Sequence, residues 1–406
     1  MAPPTGREIG GERIPMTTFI VRYAEMALKK KNRLAFEKQL MANIRRVLGL
    51  SEKQVTRQIG QILVRVEPER ADESREKLAT VFGIAWFTEV VTCPNTFDAI
   101  TETALEAARE VLDEHQTFAV RAARANKSLP FTSDDINRRV GTLVREQTGA
   151  QVNLSNPDVT IYISVRDEET FIYTRRFQGP GGLPVGTSGK VLSLISGGFD
   201  SIASSYLLAR RGAQVDFLHF YVFPRKEGVL QTKMPRLWRK LSAYTLSRTV
   251  FLANFAPFQM AILGMGQRQQ RYELVVFRRL MVRVGERLAG QWGYQALVLG
   301  DSLGQVASQT MENIVAVDRA VEIPIFRPLI GSDKVEVMDL VRRIGLEEEA
   351  TAPYKDCCSI IAPHPIIRAD LAKVQQIEEE LQIEKVVDEI VSEIEPLPLA
   401  SLPQEQ

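Results

Sequence analysis

The residues whose types and spacing suit chemistry most directly form the segment Ser-Gly-Gly-Phe-Asp-Ser at positions 196–201. Gly197 and Gly198 let the backbone bend tightly and approach a ligand closely, while Ser196 and Ser201 add hydroxyl donors. An apolar strand is predicted directly before the segment and a helix directly after it, so N–H groups of the first helical turn point into the loop. The pattern predicts an anion site suited to phosphate.

Asp200 is the unexpected residue of this loop, because a carboxylate suits an anion site only if it holds a divalent cation or a substrate hydroxyl. An ordinary glycine-rich turn is the alternative to a phosphate loop. Two other glycine-rich segments fail as phosphate motifs. Residues 186–190 have Pro184 where a P-loop needs its first glycine, and residues 264–269 lack the third glycine of a dinucleotide-binding loop.

A second reactive feature is the adjacent pair Cys357 and Cys358, in a loop flanked by prolines. A thiolate is the nucleophilic form of cysteine, and a nearby cation or helix N-terminus favours it. The alternative is a pair of small buried hydrophobic residues. The third cysteine is Cys93, and no CxxC occurs. We therefore expect no disulfide scaffold and no structural metal site, and the reducing cytoplasm is the natural compartment.

The composition is that of globular domains, with 45% hydrophobic and 25% charged residues among 406. No apolar run reaches the roughly 18 residues that span a bilayer, and the first fifteen residues lack the apolar core of a secretory signal. The net charge of +1 conceals basic stretches at 19–57 and 225–287 and an acidic one at 335–406. This asymmetry fits a polyanionic partner as well as it fits solvated faces.

The order of predicted elements divides the chain into several parts. An α+β unit of ferredoxin-like type and a second α+β unit precede a region of alternating strands and helices, which indicates a doubly wound α/β domain with a parallel sheet. Composition predicts a disordered start and a Pro/Gly-rich linker. The expected boundaries are disordered start 1–16, ferredoxin-like domain 17–75, second domain 76–178, linker 179–189, α/β domain 190–395 and tail 396–406.

The six-residue loop resembles the pyrophosphate loop of ATP pyrophosphatases, which cleave ATP between its α- and β-phosphates to adenylate a substrate. Further segments resemble the tRNA 4-thiouridine synthetase (tRNA sulfurtransferase) family, including its ferredoxin-like start and its THUMP domain, an RNA-binding module. These segments are 22–40, 120–141, 276–283, 296–314 and 327–337. The resembling segments follow the family's order over about residues 17 to 375. Because segment 120–141 lies in the second domain, the resemblance implies that this domain is a THUMP domain.

The resemblance also implies a nucleotide site for ATP with Mg²⁺. Asp200 and Lys334 would be catalytic groups at the phosphates, and only one of the neighbours Arg278 and Arg279 can face the pocket. For His219 a buried core histidine is the alternative. The implied ATP-binding residues are Leu194, Ile195, Ser196, Gly197, Gly198, Ser201, His219, Phe220, Arg278, Gly300 and Gln309.

The implied activity is adenylation of uridine 8 of tRNA followed by replacement of its 4-oxygen with sulfur. The family has a cysteine in this loop. Aligning the residues that follow the cysteine matches it to Cys358, whereas counting forward from Lys334 matches it to Cys357. We assign the family's cysteine to Cys358. The chain resembles the short form without a rhodanese domain. Sulfur would then come from a separate cysteine desulfurase or another persulfide donor, and a role in thiamine synthesis is not expected.

The front half of the chain is expected to bind the acceptor stem and 3′ end of tRNA, mainly through phosphates. Segment 221–271 matches the family little, and it could be a pocket lid or an RNA-facing insertion. Two alternative functions stay open: an RNA-binding protein with an inactive nucleotide fold, and another adenylating enzyme such as an amide-forming synthetase. A homodimer is also possible. The expected RNA-binding residues are Arg121, Arg124, Lys127, Arg138 and Arg139.

Overall fold

The computed structural model describes residues 6–9, 12–23, 32–125, 127–357 and 364–402. The chain forms two compact units, Met1–Gly182 and Leu183–Gln406, which we call unit 1 and unit 2. The division falls inside the segment 179–189 that composition predicts to be a linker. None of the helices in the described residues is long and apolar enough to cross a bilayer.

Unit 1 is an α+β structure. Its strands are β1 (Gly6–Ile9), β2 (Glu12–Pro15), β3 (Thr17–Arg22), β4 (Val55–Gln58), β5 (Gln61–Val66), β6 (Trp86–Cys93), β7 (Thr117–Arg124), β8 (Gln151–Val152), β9 (Val159–Val165), β10 (Thr170–Tyr173) and β11 (Phe177–Gln178). Its helices are α1 (Arg33–Leu48), α2 (Ala71–Leu78), α3 (Phe97–Arg109) and α4 (Ser133–Thr148). Because β1 pairs with β2 in a hairpin, the start predicted to be disordered contains regular structure; composition misses strands of only four residues.

One large sheet joins the two α+β parts, in the order β4-β5-β3-β6-β10-β9-β7-β8, with β11 also paired to β6. Strand β6 pairs with β3 on one side and with β10 on the other, so the parts share a sheet. Helix α1 packs on the first half through Leu40 and Ile44, and α3 and α4 pack on the second through Ile100 and Val140. All four helices therefore cover one face of the sheet, because β-strand side chains alternate between its faces.

Helix ends follow the capping signals closely but not at every residue. The sequence predicts a helix end at Gly49 and a helix cap at Thr96 or Asn95. Gly49 ends α1 in the left-handed conformation, with φ of 64°, and Thr96 caps α3 through its side chain. For α4 the sequence predicts Ser133 as the cap. The cap is Thr132, because Thr132 and Asp135 form a reciprocal capping box.

Unit 2 has the predicted doubly wound α/β architecture. Its strands are β12 (Lys190–Leu194), β13 (Gln214–Tyr221), β14 (Thr249–Asn254), β15 (Ala296–Val298), β16 (Ile325–Phe326) and β17 (Pro396–Pro398). Its helices are α5 (Phe199–Arg210), α6 (Glu227–Leu230), α7 (Met234–Thr245), α8 (Ala256–Ile262), α9 (Glu273–Trp292), α10 (Met311–Asp318), α11 (Lys334–Arg343), α12 (Glu347–Thr351), α13 (Leu371–Glu380) and α14 (Ile383–Glu393).

The unit 2 sheet has the order β16-β15-β12-β13-β14-β17. Strands β12 to β16 are parallel, and β17 is antiparallel to β14. The expected tail therefore begins with a strand of the sheet. The sequence predicts one acidic helix over 371–394, but this segment forms the two helices α13 and α14, because Gln382 adopts a left-handed φ of 53° between them. Parallel strands end at one edge of a sheet, so the residues after β12, β13 and β15 lie together there.

Candidate active site

The loop 196–201 turns sharply from β12 into α5. Gly197 has a φ of 89°, a conformation that other residues rarely adopt. Its N–H donates to the Ser201 hydroxyl at 3.3 Å, and that hydroxyl donates to the carbonyl oxygen of Gly198 at 3.0 Å. Gly198 is the residue that caps α5. The loop thus places N–H groups of a helix start in a fixed turn, as an anion site requires.

Asp200 and Lys334, the two groups expected at the phosphates, meet beside this loop although they are 134 residues apart in the sequence. The Lys334 ammonium donates to one Asp200 carboxylate oxygen at 2.9 Å, and the Gln305 amide donates to the other at 3.1 Å. Lys334 begins α11, whose start is fixed by a capping box between Asp333 and Glu336. The Asp200 and Lys334 side chains are 24% and 45% exposed, so both groups are accessible to a ligand.

Gly300 follows β15 and packs directly against the backbone of Asp200. A Cβ atom at Gly300 would lie 2.7 Å from the Asp200 carbonyl carbon and 2.9 Å from its oxygen. Real Cβ atoms do not approach backbone so closely, and backbone cannot move as a flexible side chain does. Gly300 therefore allows the end of β15 to support the first turn of α5.

Lys233 is a cation of the site that the sequence did not single out. Its ammonium donates to the carbonyl oxygens of Gly197 at 3.1 Å and Ala350 at 3.2 Å. Burial lowers the pKa of the Lys233 ammonium, although the carboxylates of Asp356 and Glu349 oppose this. Lys233 belongs to the basic stretch 225–287, which contains thirteen Lys and Arg residues. Nothing in the sequence shows which of these residues contacts the glycine loop.

The segment 221–271, left open between a lid and an RNA-facing insertion, forms part of unit 2. Strand β14 and helix α7 lie within it, and Leu237, Trp238 and Leu241 of α7 are buried. A cavity of about 410 Å³ beside the loop is lined by residues of this segment and of α12. These include Thr232, Lys233, Arg236, Arg239, Glu348 and Glu349.

Arg278 lies on the site side of α9, and Arg279 on its core side. Arg278 pairs with the buried Asp301 at 2.7 Å, and Arg327 pairs with the other Asp301 oxygen at 2.8 Å. Burial alone would raise the pKa of Asp301, but the two guanidinium groups hold it below its usual range. Arg279 is 1% exposed and pairs with Glu378. The two neighbours therefore point to different sides of α9, and a contact of Arg278 with ATP stays a prediction.

Two glutamines near the loop have buried oxygen atoms without a hydrogen-bond partner among the described residues. These are the Oε1 atoms of Gln305 and Gln309. A buried polar atom without a partner costs free energy, so it indicates room for a ligand donor. Leu194 and Ile195 are buried at the end of β12, where they can form the apolar wall of such a pocket.

His219 and Phe220 lie at the end of β13, and their side chains have partners within the protein. His219 Nδ1 is 2.7 Å from the Ile195 carbonyl oxygen, and Nε2 is 2.6 Å from the Tyr354 hydroxyl. Burial lowers the pKa of His219 to about 4, so the ring is neutral at neutral pH. The Phe220 ring packs in the core against Phe277. Both side chains are therefore engaged within the protein, and a contact of His219 and Phe220 with a nucleotide stays a prediction.

The structure describes one cysteine of the adjacent pair. Cys357 is 4% exposed, and its thiol donates to the Phe220 carbonyl oxygen at 3.3 Å. Cys358, to which we assign the sulfur chemistry, lies outside the described residues. Cys93 is buried in unit 1, and burial raises the pKa of its thiol to about 11.

The five residues expected to bind RNA do not form one surface. Arg124 is engaged by its own loop, because its guanidinium donates to Leu129 O at 3.2 Å and to Phe131 O. Arg121 points to the sheet face opposite α4, since its neighbours Val120 and Ala122 face the helices. Lys127, Arg138 and Arg139 are exposed, the last two on α4.

Three family models match successive parts of the chain. The model described as ThiI ferredoxin-like domain matches residues 18–88, and the THUMP domain model matches residues 94–175. The model described as thiamine biosynthesis protein (ThiI) matches residues 186–383. These matches confirm the ferredoxin-like, THUMP and pyrophosphatase-type organisation.

Relatives and solved structures extend the likeness to nearly the whole chain. A probable tRNA sulfurtransferase of Moorella thermoacetica is 36% identical over 385 residues, which cover 93% of this chain and 97% of that protein. One from Geobacillus kaustophilus is 37% identical, covering 93% and 94%. A crystal structure of a 4-thiouridine synthetase–RNA complex with bound ATP has a TM-score of 0.85 at 30% identity, covering 94% of this chain and 99% of that one. This chain therefore belongs to the tRNA sulfurtransferase family.

Proposed function

We propose that this chain is an ATP-dependent tRNA sulfurtransferase that converts uridine 8 of tRNA to 4-thiouridine. The observation that carries the proposal is the meeting of Lys334 and Asp200, 2.9 Å apart beside the glycine loop, in a chain of the tRNA sulfurtransferase family. Backbone N–H groups and a cation at one helix start stabilise the charge of a departing pyrophosphate.

The charged groups and the buried, unpartnered glutamine oxygens beside the loop fit the phosphates and the polar edges of ATP. The N–H groups at Gly197 and Gly198 and the Lys334 ammonium would hold the phosphates. The unpartnered Gln309 oxygen fits a donor such as an amino group of adenine or a ribose hydroxyl. Leu194 and Ile195 would contact the base, and we retain the other residues implied by the resemblance as the pocket border: Ser196, Ser201, Arg278, Gly300 and the backbone of His219 and Phe220.

Asp200 suits Mg²⁺ as well as it suits Lys334. A carboxylate oxygen is a preferred Mg²⁺ ligand, and phosphate oxygens and water complete the coordination in most nucleotide sites. The cation, when bound, neutralises phosphate charge. Asp200 would hold it beside the loop, and its other contacts to Lys334 and Gln305 orient the carboxylate.

Adenylation makes the uridine oxygen a leaving group. The O4 atom of uridine attacks the α-phosphorus, and the bond to the bridging oxygen of pyrophosphate breaks. Lys334 and the first turn of α5 lie where the charge of pyrophosphate develops. We place Lys233 on the opposite side of the loop, where its ammonium can leave the Gly197 carbonyl for a phosphate oxygen.

Sulfur then replaces the oxygen. We propose that Cys358 carries a persulfide from a cysteine desulfurase or another persulfide donor. Its terminal sulfur attacks C4 of uridine, the C4–O4 bond breaks, and the oxygen leaves with AMP. A second thiolate attacks the Cys358 sulfur, so that a disulfide forms and 4-thiouridine is released. Cys357 and Cys93 suit this last step poorly because both are buried, so the second thiol would come from the donor or a reductant.

Unit 1 would bind the acceptor stem and 3′ end of tRNA, in the cytoplasm where tRNA and reduced thiols occur. The family matches leave residues 89–93 between the ferredoxin-like and THUMP parts, so we place that boundary there rather than at 75, which falls inside α2.

Sulfur supply for thiamine synthesis needs the same persulfide and stays a separate hypothesis.

We also propose a homodimer through unit 2. Leu303, Val306, Met311 and Val315 follow one another along the loop after β15 and helix α10, and each is 45–58% exposed. Met311 and Val315 lie one turn apart on α10, and exposed apolar side chains grouped in this way favour burial against another surface. A second copy of the chain offers the same patch for a symmetric contact. Sedimentation of the wild type and of Met311→Glu tests this, since the charged variant should be monomeric.

The deciding experiment incubates the protein with unmodified tRNA, ATP, Mg²⁺ and either sulfide or a cysteine desulfurase with cysteine, followed by nucleoside analysis. We expect 4-thiouridine only when ATP is present, and a loss on the order of 10²-fold in Asp200→Asn, the scale of removing one preorganised electrostatic group. Pyrophosphate release without 4-thiouridine from any donor would favour another adenylating enzyme. RNA binding without pyrophosphate release would indicate an inactive nucleotide fold.

A further inference from the structure

Asn313 is a buried polar residue of unit 2 that the proposed reaction does not use. It lies in the first turn of α10 and is 1% exposed. Its side-chain Nδ2 donates to the carbonyl oxygens of Ala307 at 2.6 Å and Ile366 at 2.8 Å. Its Oδ1 accepts from the N–H of Ala369 at 3.1 Å. One side chain therefore joins the loop before α10 to the chain that follows the adjacent cysteines, and its bonds are satisfied in both directions.

The loop before α10 borders the nucleotide pocket. Ala307 begins a 3₁₀ turn that ends at Gln309, and the Gln309 Oε1 atom has no hydrogen-bond partner among the described residues. This loop has further internal bonds. The Gln309 N–H donates to the Val306 carbonyl oxygen at 2.9 Å, and the Gln309 carbonyl oxygen accepts from the Gly304 N–H at 2.8 Å. We therefore expect the loop to keep its shape without Asn313.

The chain after the cysteines depends more strongly on the start of α10. Ile366 packs against the core of unit 2, and its N–H donates to the Arg271 carbonyl oxygen at 2.8 Å. The Thr310 hydroxyl donates to the Ile367 carbonyl oxygen at 2.7 Å, next to the two bonds from this segment to Asn313. The first turn of α10 and its cap thus hold the segment in place.

In the sequence, Cys358 lies between two points of the chain that the structure fixes. Cys357 is bonded to the Phe220 carbonyl oxygen on one side, and Ile366 is bonded to Asn313 on the other. A chain reaches at most about 3.3–3.6 Å per residue, so the positions of its two ends limit where a thiol between them can go. A displaced Ile366 would change that reach.

We propose that Asn313 is a positioning residue for sulfur transfer, because it holds the chain after Cys358 against the loop of the nucleotide pocket. The proposal rests on the proposed function, in which Cys358 carries sulfur to the uridine that ATP has activated. Asn313 acts through Ile366 and Ala369 rather than on the reacting atoms. Its effect follows from geometry, since a misplacement of about 1 Å lowers a rate by on the order of 10²-fold.

The test compares Asn313→Ala with Glu312→Gln in the full-length protein. Glu312 is the neighbouring residue on α10 and pairs with Arg368 of the same segment at 3.6 Å, but both side chains are exposed, where an ion pair contributes little. Each variant is assayed for pyrophosphate release and for thiolation of tRNA with a cysteine desulfurase or with sulfide. Asn313→Ala should lose desulfurase-dependent thiolation by on the order of 10²-fold. Its pyrophosphate release and sulfide-dependent thiolation should stay near those of the wild type, and Glu312→Gln should behave as the wild type throughout.

Thr310→Val provides a second variant with a smaller change. It removes the hydroxyl that donates to the Ile367 carbonyl oxygen, so desulfurase-dependent thiolation should fall by about tenfold, the effect of one hydrogen bond. Because Thr310 also caps α10, thermal unfolding shows whether each variant keeps its fold. Hydrogen exchange gives a readout that does not depend on activity: the Ala369 amide should exchange on the order of tenfold faster in Asn313→Ala and at the normal rate in Glu312→Gln.

The proposal is overturned if folded Asn313→Ala thiolates tRNA with the desulfurase as the wild type does, or if Glu312→Gln loses as much. It is also overturned if pyrophosphate release falls as far as thiolation, which would make Asn313 a support of the nucleotide loop alone. A wild type that makes no 4-thiouridine from any donor would refute the proposed function and the sulfur role with it. Hydrogen exchange would then still decide whether Asn313 holds the segment.

Discussion

The hydroxyl of Tyr354 lies 2.6 Å from Nε2 of His219, whose other ring nitrogen lies 2.7 Å from the carbonyl oxygen of Ile195. A carbonyl oxygen can only accept, so Nδ1 carries the proton and Nε2 accepts from Tyr354. The pKa of Tyr354 is raised by burial, which keeps its hydroxyl protonated. The segment that leads to the cysteines is thereby attached to the residue directly before the glycine loop.

Tyr354→Phe should separate sulfur transfer from adenylation. The variant loses the hydrogen bond to His219 but keeps the ring that packs in this region, so the glycine loop and pyrophosphate release should stay near normal. Thiolation with a desulfurase should fall by about tenfold, the effect of one lost hydrogen bond of roughly 1.4 kcal/mol. Free sulfide needs no cysteine loop and should restore the rate. Equal losses of pyrophosphate release and thiolation would show that Tyr354 supports the nucleotide site instead.

Lys233 provides a prediction on pH. A lysine is charged below its pKa, and burial lowers the pKa of Lys233, so its charge is lost at a lower pH than that of an ordinary lysine. Pyrophosphate release should therefore decline as the pH rises through that lowered pKa. Lys233→Arg, which stays charged, should shift the decline to higher pH. Lys233→Met should reduce the rate on the order of 10²-fold below the pKa of Lys233 and should remove the decline, because the variant has no charge to lose.

Lys240→Met is the matched control for Lys233, because Lys240 lies on α7, which Lys233 directly precedes, and pairs with Glu349 at 2.5 Å rather than with the loop. Its pyrophosphate release should resemble that of the wild type. If Lys233→Met and Lys240→Met were equally active, Lys233 would have no part in adenylation.

Gly300→Ala should disturb the site through the backbone. The added methyl group would lie 2.7 Å from the carbonyl carbon of Asp200, so either β15 or the first turn of α5 must move. Overpacking of this kind costs about 1–3 kcal/mol, and pyrophosphate release should fall along with it. Gly290→Ala is the matched control, because a Cβ there meets nothing within 4 Å; in a helix it should stabilise by up to about 1 kcal/mol. Chemical unfolding of both variants measures the difference.

The sequence predicts the architecture of unit 2 well, because each element carries its own signal. The apolar strand before Ser196 and the acid-capped helix at Lys334 are local patterns, and the resemblance brings Asp200 and Lys334 together. Lys233 could not be chosen in the same way. Its role depends on where α7 packs, and a basic stretch looks alike whether its members face solvent or a loop.

The unit 1 sheet shows the opposite limit of sequence reasoning. Arg121 and Arg124 are three residues apart on one strand, and charge counting groups them together. Strand alternation puts them on different faces, and Arg124 is used by the loop at Phe131. Arg22 is far in the sequence from Arg166 and Arg176, and it comes near them only through the pairing of β3, β6, β9 and β10. No local pattern contains that information.

The adjacent cysteines give the sharpest prediction, since the structure describes Cys357 as a buried thiol bonded to Phe220 O. Such a thiol packs rather than reacts. Cys357→Ala should therefore keep thiolation and lose about 1 kcal/mol of stability. Cys358→Ala should still release pyrophosphate, because uridine oxygen attacks the α-phosphorus without help from a thiol. With a desulfurase as donor it should make no 4-thiouridine, whereas sulfide can attack C4 directly and bypass the missing carrier. The assignment is reversed if Cys357→Ala is the variant that fails with the desulfurase, and a carrier role for the pair is refuted if both variants thiolate tRNA at the wild-type rate.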